Sequence, residues 1–316
     1  MLLTKDPQLL ILLGMIFGAL MLATFITTAI NCKTKDACTS IFLTNLNARL
    51  KAWWAMVTIF AIAILSGGAT SIILFAAISV LALREFITIA PTQKADHHSL
   101  ALAFFVVLPI NYILLAVHWY GLFVIFVPVY AFLCIPICSA ISGDSKNFLA
   151  RTAEIQWGLM LCVYFISYAP AILSLHINGY ETHAARLLCF LVFVVEISDV
   201  LQYVFGKSFG RHKIVPTISP NKTVEGFVGG ILSTVVLGTC MWSFTPFSPW
   251  QAALMSLALS LFGFGGGIVM SAIKRDRGIK DYSALIPGHG GMLDRIDSLC
   301  FAAPLFFHLT RYFFAH

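Results

Sequence analysis

The chain is 316 residues long, 59% hydrophobic and only 11% charged, with a mean hydropathy of +0.90. Soluble chains carry about 25% charged residues, so a water-soluble domain is excluded and the apolar excess has to face lipid. A formal charge of +6 would suit nucleic acid, but the basic residues flank apolar runs, where membrane topology requires them, and no nucleic-acid partner is expected.

The first apolar run, Leu9–Ile30, is long enough to cross a bilayer at about 20 residues per span. Lys5 beside Asp6 is a poor basic flank for a cleaved leader, so the run is read as a retained helix. Nine more follow: Trp53–Ser66, Ala69–Leu83, Leu100–Val117, Leu122–Ala140, Ile155–Leu175, Leu187–Phe205, Phe227–Phe244, Ala252–Ile273 and Ser298–Tyr312. They predict an all-α, polytopic bundle of about ten transmembrane helices. Pro109, Pro128, Pro136 and Pro170 fall inside runs, where a bundle tolerates kinks that a helix in water does not. Cys134, Cys138, Cys162, Cys189, Cys240 and Cys300 lie in apolar stretches and are read as packing residues. Cys32 and Cys38 lack the further Cys or His that a zinc site needs. Residues 1–150 are expected to form a lipid-facing scaffold and residues 151–316 the part that carries the chemistry, within one continuous membrane domain.

Alternate threading of ten spans puts Lys33 to Lys51, Arg84, Lys94, Lys146 to Arg151, Lys207 to Lys222 and Lys274 to Arg295 on one side. That side holds every basic residue except Lys5, Arg186 and Arg311. The positive-inside rule makes it cytoplasmic and puts both termini outside.

Two polar blocks reach that face. In the first, Glu196, Asp199 and Tyr203 repeat at helical spacing near the end of an apolar span. A loop follows with Gly206-Lys207, Gly210-Arg211 and the run Ile218-Ser219-Pro220-Asn221-Lys222-Thr223-Val224-Glu225-Gly226. Pro220 bars continuous helix, so a rigid turn presenting Ser219 and Lys222 is expected. Gly226, Gly229 and Gly230, like Gly263 and Gly265 to Gly267, are read as points of close helix approach. Glu196 is open to two readings, a protonated, hydrogen-bonded carboxyl or a site residue.

The second block, Ser271 to Asp297, sets nine charged side chains and a Pro287-Gly288-His289-Gly290-Gly291 turn between two apolar spans. Charge at that depth is costly unless a polar ligand or a metal compensates it. Asp294 and Asp297 share a helix face while Arg295 turns away, and Asp281 can return to them across the glycine turn. Three hard oxygen donors suit Mg²⁺, which takes its other ligands from water and substrate phosphates. The glycine turn can present successive backbone N–H groups, as anion-binding nests do. A cationic run, three aspartates and such a turn together suit a polyphosphate with its divalent metal. A salt-bridged positive-inside loop is the plainer alternative, and it leaves the carboxylates and glycines unexplained.

The pattern Ser271-x-x-Lys274-Arg275-x4-Lys280-Asp281-x-Ser283-x3-Pro287-x-His289-Gly290-Gly291-x-x-Asp294-Arg295-x-Asp297 resembles the signature of the phosphatidate cytidylyltransferase (CDP-diacylglycerol synthase) family. The run Ile218-Ser219-Pro220-x-Lys222-Thr223-x-Glu225-Gly226 resembles that family's second motif, and Arg84-Glu85-Phe86 is a loose echo in the first half. The resemblance implies an enzyme of the bacterial inner membrane, its site facing the cytoplasm, that joins CTP and phosphatidate into CDP-diacylglycerol and releases pyrophosphate. It also implies Mg²⁺, with room for a monovalent cation such as K⁺. Carried over by position, Asp281, Asp294 and Asp297 become the metal-site carboxylates, with Asp199 the next candidate. Lys222 becomes catalytic, and Ser219, Lys222, Lys274, Arg275, Lys280, His289, Gly290, Gly291 and Arg295 become substrate contacts, although for His289 ordering of the turn through hydrogen bonds is the favoured reading over phosphate binding. Relatives follow the Asp199 position with small residues and then Ala-Tyr, whereas Val200-Leu201-Gln202-Tyr203 follows here. That departure points to a divergent bacterial branch acting on phosphatidate or a related phospholipid or lysolipid.

Two other classes compete. A transporter would use Glu196 and Asp199 as a proton or cation relay, and a polyprenol-type lipid kinase would also be membrane-embedded and nucleotide-using. The sequence has no Walker-type Gly-Lys-Ser/Thr loop, which disfavours ordinary P-loop ATP use. The glycine-rich helices offer a surface for a homodimer.

Overall fold

The computed structural model describes residues 6–33, 37–286, 288 and 290–315, leaving aside the side chains of 30–45. Among them ten helices form: α1 Pro7–Lys33, α2 Ala37–Ser66, α3 Gly68–Ile89, α4 Lys94–Ala116, α5 Tyr120–Ile141, α6 Phe148–Ser174, α7 Ala184–Phe209, α8 Val224–Cys240, α9 Pro249–Asp276 and α10 Leu293–Phe314. Each of the ten apolar runs maps to its own helix, although Phe227–Phe244 runs past the end of α8 at Cys240 into a separate turn, Trp242–Phe244. Eight helices are long and apolar enough to span a membrane; α8 is shorter, and α10 carries Asp294, Arg295 and Asp297 in its first turns. The protein is an all-α integral membrane bundle. The Cys32 and Cys38 side chains and all of His289 lie outside what is described.

Burial orders the helices. The most apolar stretch of α6 is 72% buried, against 17% for α1, so α6 is central and α1 faces lipid. Leu159, Leu161, Tyr168, Phe190 and Phe306 are fully enclosed where α6, α7 and α10 meet, while Phe25, Ile73, Phe105, Ile137 and Leu232 project outward. In a membrane such outward apolar side chains are solvated by acyl chains and need no protein partner.

The prolines are absorbed inside the spans. A proline gives no N–H to the carbonyl four residues before it and crowds that carbonyl. α4 and α5 widen into π turns at Ala103–Val107, beside Pro109, and at Phe126–Ala131, around Pro128. The carbonyl of Val124, four before Pro128, accepts from the Tyr164 hydroxyl at 2.7 Å. That of Phe132, four before Pro136, accepts from Gln156 Nε2 at 2.8 Å. Both donors belong to α6, so the central helix replaces the hydrogen bonds that the prolines remove.

Contacts between connections establish the alternation. At one end Arg186, at the start of α7, binds Asp6 and Gln8, the Tyr180 hydroxyl donates to the Phe244 carbonyl, and Ile177 bridges Ala315. At the other end Arg49 Nε donates to the Gly288 carbonyl at 3.1 Å, and Arg277 pairs with Glu154 at 2.7 Å. There too Arg151 joins Asp96 and Asp144 at 3.2 and 2.8 Å. The second end carries most of the basic residues, as the threading requires. It also holds the one element that is not helical among the described residues, a two-stranded antiparallel ribbon of β1 Lys213–Val215 and β2 Ser219–Thr223. Pro220 sits in this isolated pair, where a missing N–H costs no interior ladder bond.

Candidate active site

The ribbon is fixed at both ends. Thr223 caps α8, its hydroxyl accepting from the Gly226 N–H at 3.1 Å. The Glu225 carboxylate gathers the Arg211 N–H at 2.9 Å and His212 Nδ1 at 2.6 Å. Below it α7 and α8 touch through their backbones. A Cβ on Gly226 would lie 2.7 Å from the Gln202 carbonyl oxygen, and one on Gly230 would lie 2.6 Å from the Gln202 nitrogen. The close approach read from these glycines is therefore present. Gly265, by contrast, has open space where its Cβ would be.

β2 aims Lys222 inward at α9. Its ammonium lies 4.3 Å above the Phe264 ring and donates to the Phe264 carbonyl at 3.4 Å. A Cβ on Gly267 would come within 2.8 Å of Nζ, so the bare backbone there makes the lysine's seat. Burial holds the ammonium below the usual lysine range, Asp199 and Asp297 pull it back up, and Lys274 adds to the depression. Lys222 thus sees two carboxylates without an ion pair to either.

Those carboxylates come from different helices. Ser298 Oγ on α10 donates to Asp199 Oδ2 on α7 at 2.6 Å and lies 3.5 Å from Asp297 Oδ1. Asp297 Oδ1 also accepts the Ser298 N–H at 2.8 Å. Asp199 and Asp297 repel one another, with the charges of Lys222 and Arg295 acting against that repulsion. Arg295 Nε is buried with no hydrogen-bond partner. Two carboxylates around one hydroxyl form a hard, oxygen-rich donor set, the kind that holds Mg²⁺ through one or two carboxylates plus substrate phosphates. The residues present therefore fit the ion.

Asp294 is satisfied by its own chain. Lys274 Nζ donates to Oδ1 at 2.7 Å, while the Tyr282 and Gly291 N–H groups each donate to Oδ2 at 2.9 Å. Beside it Glu85 of α3 accepts from Ser283 Oγ at 2.6 Å, from the Met292 N–H at 2.9 Å and from the Leu293 N–H at 2.8 Å. Of the glycine turn expected to form an anion nest, the Gly291 N–H is taken by Asp294, and the two N–H groups that follow, of Met292 and Leu293, are taken by Glu85. Gly290 has φ +81°, and a Cβ there would lie 2.8 Å from Asp294 Oδ2 and 3.3 Å from Asp281 Cβ. Both the backbone conformation and the space require glycine. The single three-aspartate cluster does not form. Asp281 and Asp294 meet across Gly290, Asp297 pairs with Asp199, and among the described residues no three metal-ligating side chains converge.

The model described as Cytidylyltransferase family matches residues 47–313. The chain belongs to that family. An Escherichia coli (strain K12) chain named Uncharacterized protein YnbB is 38% identical over 265 residues, 84% of this chain and 87% of that one. Phosphatidate cytidylyltransferases of Staphylococcus saprophyticus and Staphylococcus aureus (strain COL) are 44% and 43% identical over 130 residues, which is 40% of this chain and 50% of each of theirs. This cytidylyltransferase thus spans about half the length of those staphylococcal relatives and is a membrane-embedded nucleotidyltransferase. Family membership leaves the transport and lipid-kinase readings without support of their own.

Other expected contacts of this cytidylyltransferase fall into two kinds. Arg275 is engaged by backbone, Nε donating to the Ile218 carbonyl at 3.2 Å and Nη1 to the Ile279 carbonyl at 3.1 Å, so it staples the ribbon to the end of α9. Lys280 and Asp281 are exposed at the loop, and Ser219 is half-buried in β2. Glu196 lies one turn before Asp199 on α7, within the influence of Arg295 and both aspartates. Sequence reasoning missed Glu85, Ser298 and Arg49 as site residues. Ser298 adjoins Asp297, and Glu85 is an acid at the end of an apolar run; Arg49 gave no signal.

Proposed function

We propose that the protein condenses CTP with phosphatidate, or a closely related lipid phosphate, to a CDP-lipid and pyrophosphate at the cytoplasmic face of a bacterial inner membrane. The observation that carries this reading is the Asp199–Ser298–Asp297 group facing the unpaired Lys222 ammonium, between apolar helices of a cytidylyltransferase. An oxygen of the lipid phosphate attacks the α-phosphorus of CTP, a new P–O bond forms, the α–β P–O bond breaks, and pyrophosphate leaves. A phosphate monoester has its second pKa at about 6, so the nucleophile is already ionised and needs no strong base. The barrier lies in bringing two polyanions together and in charge accumulating on the leaving group. Lys222, held away from any carboxylate partner, places positive charge where phosphate oxygens arrive, and Arg295 lines the same space. Asp199 and Asp297 would hold Mg²⁺, which when bound would supply the further charge neutralisation that phosphoryl chemistry draws on. The outward apolar faces of the helices keep the acyl chains in lipid, leaving the headgroup at the interface.

The test is purified protein with labelled CTP, Mg²⁺ and a panel of phosphatidate, lysophosphatidate and polyprenyl phosphate. A lipid-linked cytidylate with matching pyrophosphate is expected, strongest with phosphatidate. Release of nucleoside diphosphate, or no cytidylate on any acceptor, overturns the reading.

A further inference from the structure

Glu85 lies 198 residues before Ser283 in sequence, outside both polar blocks, and is only 7% exposed. Its three donors are one hydroxyl and the N–H groups of Met292 and Leu293, at the very start of α10. A helix start has N–H groups that no helical carbonyl reaches, and its dipole favours negative charge there. Among the described residues Glu85 has no ion-pair partner, so these donors alone stabilise the buried carboxylate. Three donors directed at two oxygens require a group that only accepts; a glutamine would turn an NH₂ toward at least one of them.

Two positions of the sequence signature find their use here. The Ser283 hydroxyl is spent on Glu85, and a Cβ on Gly291 would lie 2.4 Å from Glu85 Oε2. Asp294, from the first turn of α10, ties Tyr282 and Gly291 on the other side of the same loop. The loop is therefore clamped between two carboxylates, one belonging to the distant α3. The helix so anchored carries Asp297 and Ser298 one turn further on.

We propose that Glu85 is a positioning residue for the reaction, an internal anion that sets the start of α10 and, through it, the placement of Asp297 and Ser298 against Asp199. The proposal rests on the cytidylyl-transfer reading. Glu85 touches neither nucleotide nor lipid in this role, so its loss acts on alignment and not on substrate contact. In Glu85→Gln, kcat should fall about 10- to 100-fold, the effect usual for residues that orient metal ligands. The Mg²⁺ concentration giving half activity should rise, while KM for CTP changes little. Hydrogen exchange should accelerate in peptides covering 282–295 and stay unchanged in α6 and α7. Gly291→Ala, which pushes the carboxylate away while leaving α3 native, should reproduce both effects, and the double variant should be no worse than the poorer single.

A wild-type kcat and Mg²⁺ requirement in folded Glu85→Gln overturns the proposal. So does exchange that rises throughout the bundle with unchanged turnover per folded molecule, which would make Glu85 merely structural. Should the wild type transfer cytidylate to no acceptor, the functional reading fails, and the exchange of 282–295 still decides whether Glu85 holds the turn.

Discussion

Asp294 and Asp297 stand three residues apart on α10, yet their surroundings are opposite in kind. Asp294 has Lys274 on one oxygen and two backbone N–H groups on the other. Asp297 has a local N–H and a long contact to Ser298, and it faces a second carboxylate, Asp199. A buried charge satisfied by its own chain has finished its work on folding and holds a loop. Asp297 has fewer donors and a like charge beside it, and the charges of Lys274, Lys222 and Arg295 act on it without a direct ion pair among the described residues. On the proposed function Asp297 is the aspartate left to meet a cation, while Asp294 is held by its own chain, and residue type does not tell them apart.

Asp297→Asn should give the largest effect, a loss of turnover of about 100-fold or more, with the melting temperature held or raised, because one of two repelling carboxylates is gone. Activity assay and thermal unfolding on one detergent preparation check both halves, and a collapse in stability would erase the distinction between the aspartates. Asp294→Asn should do the reverse in kind. It removes the direct partner of the part-buried Lys274 and the acceptor of the Tyr282 and Gly291 N–H groups, and should appear as a drop in unfolding temperature.

Lys222 sharpens the comparison through pH. Its ammonium is held below the usual lysine range by burial, so it should lose its proton, and the enzyme its activity, at lower pH than an exposed lysine would dictate. Lys222→Arg keeps its charge at every accessible pH, so the alkaline decline of the variant should move upward; an unmoved decline assigns it to another group. In the window between the lowered value and the ordinary lysine range, the unfolded chain binds more protons than the folded one. Folding stability contributed by Lys222 therefore rises with pH there. The smallest effect is expected of Arg275→Ala, about 1.5 kcal/mol or less for its lost backbone hydrogen bonds, with KM for CTP unchanged. A many-fold rise in that KM would return Arg275 to the phosphate-binding set.

Much of this was legible without coordinates. The ten helices follow from apolar runs of spanning length, and the sidedness follows from the basic residues, because both depend on local composition against lipid and water. Asp199 stood out from the sequence by its place near the end of an apolar span, and Lys222 by the resemblance of its run to the family's second motif. Legibility ended where partners are far apart in sequence. Glu85 enters the sequence reading only within the loose Arg84-Glu85-Phe86 echo, with no role attached, and only the packing of α3 against the start of α10 brings its carboxylate to those N–H groups.

What the sequence by itself determined is that this protein lives in a membrane as a helical bundle, with its polar chemistry gathered at one end. Period and hydropathy act residue by residue, so they survive without a fold. What only the tertiary structure decided is which carboxylate meets which cation. That choice depends on a few ångströms between α3, α7, β2, α9 and α10, and Coulomb energy in a low-dielectric interior changes steeply over such distances.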